Sequence, residues 1–322
     1  MTVPFGIDRR EFLLLAGAAL STVFADPAAA SAGRLVLVHG RSQQGQNPDE
    51  LKSNWLDAVK KGAQAAGVAI PDDLDVAFPF YGDQLDEFAR QFDIPLTSDI
   101  HSRGSGPQEE FLAFQAEVAQ EIWEKSEVTD AQVDAEYGAN PKPRGPLNWE
   151  WVQAILRAID KFGGGATQSS IETFTRDVFL YTTRAGVRDV VDEIVGRAFT
   201  EESTVVVGHS LGSVVAYNVL RGDRRNLQIP LLVTVGSPLG IRPIRDQFRP
   251  LKYPPPVRAW YNAYDDRDLV ALYPLDRGNF PVTPDIENYA EVMNHTDNRH
   301  GIAGYLDNAE VAKRIVDGLN SE

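Results

Sequence analysis

Apolar residues along this chain recur with two periods, and the two alternate. Arg34-Leu35-Val36-Leu37-Val38 is a short β-branched run ending at His39-Gly40, the pattern of a strand buried on both faces. Residues 49–66 follow with Leu51, Trp55, Leu56, Val59 and Ala63 at helical spacing. A second apolar run, residues 74–80, ends at Tyr81-Gly82. Strand, helix, strand opens a doubly wound sheet. The alternation resumes with a helix over 184–199, a strand over 203–207 and a helix over 211–221. Strands over 231–235 and 257–263 come next, and a last helix spans 308–319. The pattern predicts an α/β fold with a doubly wound, mostly parallel central sheet.

Between these two stretches the rhythm breaks. Residues 83–175 contain no good strand candidate. They carry two amphipathic helices, at 108–125 (Phe111, Phe114, Val118, Ile122) and at 148–162 (Trp149, Val152, Ile155, Ile159, Phe162). Gly- and Pro-rich joints flank both. This predicts a helical cap inserted at about 83–175 over the strand ends, where ligands bind in open α/β sheets. An insertion that only extends the core is the plainer alternative.

The N-terminus reads as a targeting segment rather than part of the folded body. Arg9-Arg10 precede an apolar run from Phe12 to Ala25, and small residues follow at Ala28-Ala29-Ala30-Ser31-Ala32. This resembles a bacterial twin-arginine export signal, which implies the export machinery as a partner and a location in the periplasm, at the cell surface or outside the cell. The run is about 14 residues, short of the roughly 20 that span a bilayer, so cleavage is favoured over a retained anchor. The expected organisation is a signal over 1–32 and one domain over 33–322. A net charge of -15 falls to -14 without residues 1–32, which hold two arginines and three acids. So acidic a body argues against nucleic acid as a partner. The chain has no cysteine, which excludes disulfides and a thiol nucleophile.

The chemistry concentrates in Val205-Val206-Val207-Gly208-His209-Ser210-Leu211-Gly212-Ser213, a Gly-x-Ser-x-Gly set between a strand and a helix. Glycines at those positions let a strand turn sharply into a helix and present the serine hydroxyl above the sheet. A serine needs a base, and the base an orienting acid. After Ser210 the chain has two histidines, His295 and His300, both just before the last helix. His300, with Gly301 behind it, is the better candidate; His295 stays open. Three aspartates, Asp265, Asp266 and Asp268, follow the 257–263 strand.

Gly208-His209-Ser210-Leu211-Gly212 and Asp268-Leu269-Val270 resemble the α/β-hydrolase superfamily, in which the order is nucleophile, acid, histidine. The resemblance covers residues 34–82 and 184–319. It favours Asp268 as the acid, with Asp266 and Asp265 as alternatives. The first strand's His39-Gly40-Arg41-Ser42 is similar to the superfamily's His-Gly turn, which implies the backbone N–H groups of Arg41 and Leu211 as an oxyanion hole. His39 and His209 are assigned no chemical step. The implied function is a serine hydrolase acting on a small-molecule or lipid carboxylic ester. An acyltransferase or amidase would use the same residues, and a non-catalytic binding protein on the same scaffold is the competing class. No cofactor, metal or obligate protein partner is implied.

Overall fold

The apolar runs pair as a parallel sheet whose central strands are buried on both faces. In the computed structural model the strands are β1 (Arg34–Val38), β2 (Val76–Ala77), β3 (Thr204–His209), β4 (Ile229–Val235), β5 (Val257–Ala263) and β6 (Glu287–Tyr289). Their order is β2-β1-β3-β4-β5-β6, and every pairing between them is parallel. The structure describes residues 33–41, 43–94, 96, 107–139, 144–145, 148–163 and 167–321. These belong to one unit, Ala32–Glu322. The expected export signal lies outside the described residues.

Alternate side chains of each strand face opposite layers. Leu35, Leu37, Val205, Val207, Leu231 and Val233 pack with Trp55 of α1 (Pro48–Ala66), Tyr305 of α10 (Ile302–Leu306) and Ile315 of α11 (Ala309–Leu319). On the other face Val36, Val38, Val206, Leu232 and Trp260 pack with Val191 of α7 (Ala185–Gly196) and Val214 of α8 (Leu211–Gly222). With helices on both faces, the α/β class predicted from the pattern holds. The strand order reverses at β1, with β2 on one side and β3 on the other, so the segments that follow β1 and β3 leave the same end of the sheet side by side.

The run over 74–80 yields a strand of only two residues. Pro79 has no N–H to give the ladder, which ends at Ala77. Phe78 and Phe80 instead set their rings against His39, with centroids 5.5 and 5.2 Å away.

Between β2 and α7 the described residues form α2 (Gly82–Gln91), α3 (Pro107–Lys125), α4 (Asp130–Tyr137), α5 (Trp149–Phe162) and α6 (Gln168–Thr183). The two expected helices are α3 and α5. The expected end of the insertion at 175 falls inside α6, which runs on to Thr183. Insert residues such as Phe111, Ile155 and Phe174 share one continuous core with the sheet. The insertion also touches the segments that follow strands. Arg41 after β1 reaches Ser170, and Glu121 of α3 receives Arg242 of α9 (Arg242–Arg245), which follows β4, and Tyr273, which follows β5.

Candidate active site

Ser210 sits between β3 and α8 with φ 52° and ψ −127°, a conformation that costs a non-glycine residue on the order of 1–3 kcal/mol. The turn exists because two neighbours have no side chain. A Cβ at Gly212 would lie 2.2 Å from the Val38 carbonyl oxygen, and one at Gly208 would lie 2.7 Å from Ser213 Cα. The strained geometry is fastened from behind. Ser210 N–H donates to Val235 O at 3.1 Å, and the Ser213 hydroxyl bridges Ser210 O and Ser237 Oγ at 2.6 and 2.7 Å.

The structure brings Ser210, His300 and Asp268 into one line. His300 Nε2 lies 2.8 Å from Ser210 Oγ, and His300 Nδ1 lies 2.7 Å from Asp268 Oδ2. Asp268 is fully buried, with Oδ1 accepting from Val270 N–H at 2.9 Å and Oδ2 accepting also from the Tyr305 hydroxyl at 2.5 Å. An ionised Asp268 requires Nδ1–H on the histidine, which leaves Nε2 free to accept the serine proton.

The other two aspartates separate cleanly. Asp266 is 78% exposed. Asp265 is fully buried and acts on the backbone: it accepts from Arg267 N–H at 2.9 Å and Asn294 N–H at 2.8 Å. Asn294 in turn donates to Gly301 O at 2.9 Å and accepts from Thr296 N–H and Oγ1, while Gly301 N–H returns to Thr296 Oγ1. This network shapes the loop that carries His300. His295, the alternative base, points away and meets Asp307 at 2.8 Å.

The turn after β1 runs beside the serine, since a Cβ at Gly40 would lie 3.1 Å from Ser210 Cβ. Leu211 opens α8, where the first N–H groups of a helix have no intrahelical acceptor. The Arg41 side chain leaves this turn toward the insertion, donating to Ser170 O at 2.9 Å. It also faces Asp177 of α6, whose carboxyl is pushed up to about 6 by burial, partly opposed by Arg176 and Arg41.

Among the described residues, the two other buried histidines hold backbone, a role that spacing alone does not reveal. His39 accepts from Tyr81 N–H through Nε2 at 3.1 Å, so its Nδ1–H donates to Gly40 O at 2.6 Å. The Tyr81 hydroxyl returns to His39 O. Burial pushes the His39 imidazole down to about 4, partly offset by its bond to Gly40 O. His209 Nε2–H donates to His300 O at 2.8 Å, and burial first, then the neighbouring His300, push His209 well below the usual histidine range. Neutral imidazoles thus brace the turn after β1 and the His300 backbone.

Among the described residues no three His, Asp or Glu side chains converge as a metal cluster. Compared with known proteins, the chain matches no protein-family model and no curated protein sequence.

Proposed function

We propose that this protein is an exported serine hydrolase of the α/β-hydrolase type that cleaves carboxylic esters through an acyl-serine. The observation that carries the reading is the unbroken hydrogen-bonded line from Ser210 Oγ through His300 to the buried Asp268. A positioned nucleophile, base and acid, on a strained turn at the strand ends, is the arrangement acyl transfer requires. Ser210 Oγ attacks the ester carbonyl as His300 Nε2 takes its proton, and the Arg41 and Leu211 N–H groups receive the oxyanion. His300 gives that proton to the departing alkoxide. Water then attacks the acyl-serine, with His300 accepting its proton and returning it to Ser210. The insertion, joined to the segments after β1, β4 and β5, is the proposed cap over an acyl chain. Arg9-Arg10 and the apolar run after them support export.

The test is labelling of the purified protein by a fluorophosphonate, with the adduct located by mass spectrometry. An adduct on Ser210, absent in Ser210→Ala and slowed at least about 10³-fold in His300→Ala, is expected. A folded wild type that stays unlabelled would sink the reading and leave a binding role.

A further inference from the structure

Tyr305 stands outside the nucleophile–base–acid line yet touches its buried end. The residue lies on α10, five positions after His300, and is fully buried. Its hydroxyl meets Asp268 Oδ2 at 2.5 Å, the same oxygen that faces His300 Nδ1 at 2.7 Å. The direction of the bond is fixed by its other partner. Asp265 N–H points at the phenol oxygen from 3.4 Å and can only donate, so the phenol proton goes to the carboxylate. Burial, then the neighbouring Asp268 charge, push the phenol well above the usual tyrosine range, so it remains a donor. Gly236 makes the room: a Cβ there would lie 3.1 Å from Tyr305 Cε2 and 3.2 Å from His300 Cε1.

We propose that Tyr305 is a positioning residue that sets how strongly Asp268 holds the charged form of His300. One carboxylate oxygen serves two donors, so negative charge drawn toward the phenol is withdrawn from the imidazole. Without the phenol the carboxylate binds the imidazolium more tightly, and His300 gives up its proton at higher pH. The proposal rests on the serine-hydrolase reading. The groups facing His300 are Asp268, the Ser210 hydroxyl and the neutral His209, with Tyr305, Asp265, Arg267 and Arg299 one layer behind.

The experiment follows the rate of fluorophosphonate labelling against pH in the full chain. Tyr305→Phe removes one oxygen and is expected to move the acid limb upward by about 0.5–1 pH unit. Its plateau rate should fall about 3- to 30-fold as Asp268 loses one of three donors. Site-specific 3,5-difluorotyrosine at 305, a more acidic donor of nearly the same size, is expected to move the limb downward. Opposite shifts cannot come from packing alone. Acid limbs that superimpose in the wild type and a folded variant overturn the proposal. If the wild type does not label, the hydrolase reading fails. The His300 ring titration, followed by NMR in the same proteins, then decides the role of Tyr305 without turnover, by the same two shifts. Should Tyr305→Phe not fold, the difluorotyrosine protein decides alone.

Discussion

Three aspartates within four residues show how position, not residue type, divides labour at the site. Asp266 projects into solvent, Asp265 satisfies two backbone N–H groups, and Asp268 meets the histidine. Asp266→Asn should therefore leave both stability and labelling rate unchanged, within about 0.5 kcal/mol by urea unfolding. Asp265→Asn should behave otherwise. One of its two acceptors becomes an amide that faces a backbone donor, so it should cost about 1–3 kcal/mol. It should also slow labelling, because Asn294 and the 294–301 loop lose their anchor. Equal behaviour of the two variants would refute this division. Here the sequence is legible only in part. The Gly-x-Ser-x-Gly marks Ser210 because the turn dictates its residue types. Asp268 is singled out from Asp265 only by the resemblance of Asp268-Leu269-Val270, since residue type alone leaves the two equal and their roles are set by what the fold places across from each. His39 and His209 are unreadable for the same reason, their partners lying 42 and 91 residues away.

At the level of elements, the runs that sequence reveals are those buried on both faces. β1, β3 and β4 are dense in Val, Leu and Ile, β5 buries Val257, Trp260 and Tyr261, and α1, α8 and α11 present apolar stripes against them. β6 escapes notice because Glu287-Asn288-Tyr289 is short and polar, and its pairing with β5 is imposed by tertiary structure. α4 is missed because its eight residues bury only Val133 and Tyr137. The packing of β1 against the start of α8 makes a sharp prediction. Gly212→Ala would place a methyl group 2.2 Å from Val38 O and 2.4 Å from His39 O, backbone atoms that cannot turn aside. It should cost about 3 kcal/mol, at the upper end for overpacking, and weaken labelling, because α8 and the turn after β1 are forced apart. Gly186→Ala in α7 meets nothing within 4 Å and should stabilise by up to about 1 kcal/mol. Chemical denaturation of the two alanine variants checks the contrast; a tolerated Gly212→Ala would mean that β1 and α8 do not meet this closely.

For the whole molecule, buried ionisable groups set two opposed trends with pH. His39 binds its proton in the folded state only near pH 4, whereas an unfolded histidine does so near 6.5. Between those values the unfolded chain holds more protons, so stability falls as pH falls, by on the order of 3 kcal/mol for this one group. His209 acts in the same direction. Asp177 and Asp192 act in the other. Burial raises each to about 6, above the unfolded value near 4, so the folded state holds protons that the unfolded chain has released. Their contribution rises as pH falls from about 6 to about 4. The two trends meet at the site, since His39 braces the turn after β1 and Asp177 faces the Arg41 that leaves it. Single variants separate them. His39→Asn should lose stability near neutral pH, yet its deficit relative to wild type should shrink steadily from pH 6.5 to 4. Asp177→Asn should show the reverse, its advantage present at pH 7 and fading toward pH 4. Difference curves cancel the general relief of charge repulsion that an acidic protein feels on acidification. Thermal unfolding at half-unit pH steps would reveal the crossing, and parallel difference curves would show that neither group changes protonation on folding.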